Sequence, residues 1–186
     1  MPRPNRLLRF LPLAGLLALL GAAVVPAPSS GQGPAPSTAL NGTWRLQGSV
    51  QQAQQTIAAA VNPAVQPLAP DIQRMARARI AESTAVPQTI QINASGAQIQ
   101  IAITGTDSRT FTTAPGQPQN IYSRSGVRAQ LIQQFRPGGG IEQNLRAMDG
   151  TQHNFYTPHG NQMLLDVMLQ SRRLAGEVRF RLTYTR

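Results

Sequence analysis

From Gln88 to the C-terminus, apolar and polar residues alternate with a period of two over short runs, the pattern of strands that bury one face. The runs are Gln88–Asn93, Gln98–Thr104, Thr110–Thr113, a short piece near Ile121–Ser123, Val127–Phe135, Ile141–Met148, Gln152–Thr157, Gln162–Gln170 and Glu177–Thr185, with Thr43–Ser49 upstream. Turn-forming residues separate them at Ser95-Gly96, at Arg136 to Gly140, at Asp149-Gly150 and at Pro158 to Asn161. Between the first run and the second the period lengthens. Gln51–Val61 is rich in alanine and glutamine and predicts a helix that Asn62-Pro63 stops. A second helix opens at Pro70 and Asp71, a proline suited to the first turn and an acid suited to the dipole. Ile72, Met75, Ala76 and Ile80 recur at helical spacing as its apolar face, with Arg74 and Arg77 on the other side. Hairpin after hairpin with no crossover predicts an all-β fold: an up-and-down antiparallel β-barrel of about ten strands, with a helical hairpin inserted after the first strand and closure removing the bare edges.

Residues that face each other across a hairpin share a side of the sheet, so the turns also sort inside from outside. A turn at Ser95-Gly96 pairs Ile92 with Ile99 and Ile90 with Ile101. The loop from Arg136 to Gly140 pairs Phe135 with Ile141, Gln133 with Gln143 and Leu131 with Leu145. A turn at Asp149-Gly150 pairs Gln143 with Tyr156 and Leu145 with Asn154; the loop from Pro158 to Asn161 pairs Tyr156 with Met163 and Asn154 with Leu165. Met163, Leu165, Val167 and Leu169, then Val178, Phe180, Leu182 and Tyr184, are expected to point inward. His153, Phe155, Arg179 and Arg181 are expected to point out. Gln133, Gln143 and Tyr156 are expected in one row across three neighbouring strands, on an otherwise aliphatic wall. Such a row supplies hydrogen bonds of both senses and no charge, and each buried polar group left unpaired costs about 1–3 kcal/mol. The candidate ligand-binding residues are Gln133, Gln143, Asn154, Tyr156, Phe180 and Tyr184.

Composition changes the picture at the N-terminus. Arg3, Arg6 and Arg9 precede an apolar run from Leu11 to Val25 and the small residues of Val25-Pro26-Ala27, the three parts of an export signal. The run is shorter than the roughly 20 residues that span a bilayer. Residues 1–27 are therefore expected to be a cleaved signal peptide, the Pro/Gly/Ser-rich residues 28–40 a disordered lead-in, and residues 41–186 one domain, exported to the periplasm or beyond.

The 186-residue chain carries a formal net charge of +10, and all 17 basic residues are arginine. This lysine-free composition, heavy in alanine, glycine and proline, reads as the codon usage of a GC-rich bacterial genome. The arginines are scattered, with tight groups only at Arg74/Arg77/Arg79, Arg172/Arg173 and Arg179/Arg181, and no aromatic residues interleave with them as nucleic-acid stacking platforms require. Arg74, Arg77 and Arg79 are instead candidates for contact with an anionic membrane surface, at on the order of 1 kcal/mol each. With no cysteine there is no disulfide, thiolate metal site or thiol nucleophile. His153 and His159 have no partners at metal spacing, and the chain has no nucleophile elbow, no phosphate-cradling glycine loop and no paired inward carboxylates. No catalytic, metal or cofactor site is assigned, and the chain reads as a non-enzyme.

Asn41-Gly42-Thr43-Trp44 matches the G-x-W that opens the first strand of the calycins, the superfamily of lipocalins, fatty-acid-binding proteins and avidins. Residues 41–186 follow that group's element order, and the chain most resembles the fatty-acid-binding type, with ten strands and a helical hairpin after the first. The ending Tyr184-Thr185-Arg186 resembles that of such barrels too. The resemblance implies that a basic residue of the last strand, Arg186, packs over Trp44, and that the helical hairpin caps the barrel mouth. Fatty-acid-binding proteins hold a carboxylate with an Arg-x-Tyr on the last strand. If Tyr184 is that tyrosine, the arginine position is Leu182, and with no inward arginine elsewhere a carboxylate ligand is not expected. The expected function is an exported, non-enzymatic barrel that binds a small, largely apolar, neutral ligand, with no nucleic-acid partner. The alternative is an envelope protein with a filled barrel that acts through its basic surface.

Overall fold

All but one of the alternating runs pair with the next in sequence, and the first strand also lies beside the last, so the sheet curls into a barrel. The computed structural model describes residues 38–105, 108–122 and 126–186, so the expected signal peptide and residues 28–37 of the lead-in lie outside the described residues. The elements are β1 (Gly42–Leu46), α1 (Val50–Val65), α2 (Pro70–Ser83), β2 (Pro87–Ala94), β3 (Ile99–Gly105), β4 (Arg109–Thr113), β5 (Gln119–Tyr122), β6 (Arg128–Phe135), β7 (Ile141–Ala147), β8 (Gly150–His159), β9 (Gln162–Ser171) and β10 (Val178–Thr185). The sheet order is β4-β3-β2-β1-β10-β9-β8-β7-β6-β5, all antiparallel: a nearly closed barrel with one seam between β4 and β5. Gln133 of β6 spans that seam. Its carbonyl accepts from the Gly116 N–H at 2.7 Å and its side-chain oxygen accepts from Thr113 Oγ1 at 2.9 Å.

Three of the four expected turns sit elsewhere. Ser95 and Gln98 bond each other around Gly96-Ala97, which pairs Ile92 with Ile101 and Ile90 with Ile103. Ala147 pairs with Gly150 around Met148-Asp149, and His159 pairs with Gln162 around Gly160-Asn161. Gln143 therefore faces Asn154, and Tyr156 faces Ile141 and Leu165. The Arg136–Gly140 connection keeps the expected pairs Phe135–Ile141, Gln133–Gln143 and Leu131–Leu145.

Both helices begin as their sequences ask. Ser49 and Gln52 form a reciprocal capping box on α1, and Pro70 takes the first turn of α2 with Asp71 beside it. The first helix does not stop at Asn62-Pro63 but runs on to Val65. Inside the helix Pro63 forfeits one hydrogen bond and its ring crowds the turn before it, at a cost of about 3 kcal/mol. The extra turn buries Ala64 and Val65, and a fully buried valine offsets about 1.5–3 kcal/mol of that cost. Ala53, Ile57 and Val61 complete the face that α1 lays on β10.

At the end of the barrel that holds the β2–β3, β6–β7 and β8–β9 turns, Leu40, Trp44, Ile92, Ile99, Ile141, Met163 and Tyr184 fill the interior. Leu40 corrects the expected lead-in, because it is fully buried and its carbonyl accepts from Trp44 Nε1 at 2.7 Å. Gly42 enters β1 at φ +129°, a conformation that residues with a Cβ rarely adopt.

Candidate functional site

At the opposite end, side chains leave a cavity of about 660 Å³. Its walls are aliphatic and aromatic: Leu145, Leu165, Val167, Leu169, Phe180 and Leu182. Ile72, Met75, Ala76 and Ile80 of α2 roof it. The expected apolar face of α2 thus exists but looks onto space rather than onto the barrel wall, so Ile72 and Met75 stay exposed while only Ile80 is buried. Arg79, Arg109, Asp149 and Arg173 stand around the mouth.

The floor of the cavity is Gln143, Asn154 and Tyr156. Gln143 Oε1 accepts from Asn154 Nδ2 at 2.8 Å and from the Tyr156 hydroxyl at 3.3 Å. Asn154 Oδ1 in turn accepts from Gln152 Nε2 at 2.9 Å. Burial pushes the Tyr156 phenol far above a tyrosine's usual range, with the Asn154 amide pulling weakly the other way, so the group stays a neutral hydroxyl. Gln143 is 1% exposed, and its Nε2 has no acceptor among the described residues.

The structure brings together Gln143, Asn154, Tyr156 and Phe180 of the six candidates. The expected row of Gln133, Gln143 and Tyr156 is instead Gln133, Gln143 and Asn154, with Tyr156 one pleat further along β8. Gln133 is fully buried at the seam against Thr113 and does not line the cavity. Tyr184 lies in the filled half, where its hydroxyl donates to the Pro87 carbonyl at 3.0 Å. His153 and Phe155 lie on the outer face, stacked on each other, with His153 against Glu142 and Arg136 over the Phe155 ring.

Two features of the mouth went unread in the sequence. β4 starts at Arg109, one residue before the expected strand, and Arg109 pairs with Ile103 on the same side as Phe111 and Thr113, so an arginine does line the cavity. Extending the alternation back from Phe111 by one pleat would have found it. The other is Asp149, which bonds Arg79 of α2 at 3.3 Å and Arg173 of the β9–β10 connection at 3.2 Å, tethering the roof helix to the rim. Of the other arginines on α2, Arg77 bonds Gln73 at 3.1 Å and Asn62 at 3.5 Å, and Arg74 is exposed.

No protein-family model matches the chain, and no curated protein matches its sequence. Solved structures match its shape. A secretory abundant heat soluble protein of Ramazzottius varieornatus superposes with a TM-score of 0.53 over 80% of this chain and 95% of its own, at 10% identity. Lipid binding protein 8 of Caenorhabditis elegans gives 0.52 over 82% and 98% at 11% identity, and a Schistosoma mansoni fatty acid binding protein in complex with arachidonic acid gives 0.51 over 81% and 97% at 13%. The chain shares their barrel fold.

In this barrel the opening G-x-W and the last strand meet at the filled end. The Arg186 guanidinium lies 4.6 Å over the Trp44 ring and donates to the carbonyls of Ala39 at 2.8 Å and Asn41 at 3.3 Å. On that strand Leu182 lines the cavity and Tyr184 does not, so the inner wall of β10 offers a ligand no charge.

Proposed function

We propose that the protein is a non-enzymatic carrier that holds a small, largely apolar, neutral molecule inside its barrel. One observation carries this reading: side chains fill the barrel only up to Gln143, Asn154 and Tyr156, and the 660 Å³ above them is walled by apolar groups. That volume suits a small-molecule site with a few placed polar groups. The fold neighbours named for lipid and fatty-acid binding support an apolar cargo. Neutrality is supported at the floor, where a carboxylate would be buried beside amides and an un-ionised phenol with no cation against it. A barrel that is filled and purely structural accords less well with this cavity. The basic and apolar N-terminal pattern of residues 1–27 supports export.

A second reading concerns how cargo reaches the cavity. Ile72, Met75, Tyr122, Val127 and Met148, the large apolar residues left exposed among those described, all lie on α2 or at the β5–β6 and β7–β8 turns around the mouth. Together with Arg74, Arg77 and Arg79 they support docking of that end on an anionic membrane.

Native mass spectrometry of protein purified from its host, followed by Nile red titration, tests the carrier reading. A co-purified small molecule, or saturable one-to-one dye binding, is expected. Neither a bound mass nor dye binding would leave the structural barrel as the better account.

A further inference from the structure

The floor hydrogen bonds have a direction. Gln152 donates to Asn154, Asn154 donates to Gln143, and Gln143 Oε1 also takes the Tyr156 hydroxyl, so the amide oxygens of Asn154 and Gln143 are both engaged. The relay ends on Gln143 Nε2, a donor that no group among the described residues accepts from although the side chain is 1% exposed. A reversed relay would have ended on an acceptor and called for a donor from the ligand. This one calls for an acceptor, and a buried donor left unpaired is costly.

We infer that the cavity floor receives the carbonyl oxygen of a neutral ligand, an ester or ketone on an apolar chain, which accepts its hydrogen bond from Gln143 Nε2. The inference rests on the carrier reading and adds the chemistry and the orientation of the cargo, polar end down and chain toward α2. A carboxylate fits less well because no cation among the described residues lies at the floor; Arg109 and the Arg79–Asp149–Arg173 group are at the mouth. The burial that keeps Tyr156 un-ionised penalises any other anion placed beside it.

Displacement of Nile red by methyl dodecanoate, dodecane and dodecanoate tests this on the wild type and on Gln143→Leu and Gln143→Met, the second of which keeps the unbranched shape. The wild type should bind the ester about tenfold more tightly than the alkane. Both variants should lose that preference while holding the alkane at least as well. Infrared spectra of the ester labelled with carbon-13 at its carbonyl give a readout that does not depend on stability. Binding to the wild type should lower the carbonyl stretching frequency relative to the ester in hydrocarbon, and Gln143→Met should abolish the shift. Dye binding with no preference for the ester, an ester preference that survives both substitutions, or an unshifted carbonyl band would overturn the inference and leave the carrier reading standing. If the wild type takes up neither dye nor any of the three ligands, both fall.

Discussion

At the scale of single residues, Gly150 is a glycine for a reason other than the turn beside it. A Gly after an Asp reads as a turn residue, yet Gly150 is the first residue of β8 and pairs with both Ala147 and Ser171. A Cβ there would stand 2.2 Å from the Gln170 carbonyl oxygen, and backbone rather than a flexible side chain would have to move. Glycine is therefore needed for close approach, not for turning. Gly150→Ala is expected to lower stability by about 1–3 kcal/mol, the usual cost of overpacking, read from the midpoint of urea unfolding with an unchanged slope. A midpoint equal to that of the wild type would mean that the sheet yields there freely. The residue lies beside Asp149, so the same substitution should also disturb the mouth.

Among the elements, α2 is the one held by fewest groups. Only Ile80 of its apolar face is buried, and Asp149 ties it to the rim through Arg79 and Arg173. Exposed pairs of this kind are worth about 0.2–1 kcal/mol each, so the tether biases α2 without locking it. Asp149→Asn should speed hydrogen exchange of the α2 amides by up to about fivefold and leave β8 and β9 unchanged. High salt should do the same to the wild type. Equal exchange in α2 with and without Asp149 would show that the roof is held by Ile80 and α1 instead. Parity made the barrel legible. Two of the misplaced turns moved by one residue on both strands and the third shortened by two residues on one, and either change shifts a pair by two and leaves the paired side chains on their expected face; Met163, Leu165, Val167 and Leu169 are all buried. The mouth was harder to read. Arg109 depended on a single residue at a strand start, and the course of α1 through Pro63 depended on what Ala64 and Val65 could bury. Whether ten strands enclose a filled core or a cavity is set by how side-chain volumes sum in three dimensions, which alternation does not report.

Over the whole molecule the two ends of the barrel differ. One is filled and finished by Arg186 over Trp44; the other is open, roofed by α2, and carries the exposed apolar side chains. Met148 in the β7–β8 turn is 93% exposed and Tyr122 at the end of β5 is 65%, both beside that opening. Such groups gain by leaving water, and arginines near an anionic surface add on the order of 1 kcal/mol each. Docking mouth-first would let cargo pass between bilayer and barrel without crossing water. Co-sedimentation with vesicles of phosphatidylserine and phosphatidylcholine at low and high salt checks this. Binding is expected to fall with salt, and Arg74→Gln and Arg77→Gln should each weaken it about fivefold. Arg79→Gln should weaken it less, since Arg79 already faces Asp149 at 3.3 Å. Met148→Ser should lower binding at both salt concentrations alike, because the term it removes is apolar. Vesicle binding that ignores salt and survives loss of all three arginines would remove α2 from the docking surface, and unchanged binding by Met148→Ser would remove the turns.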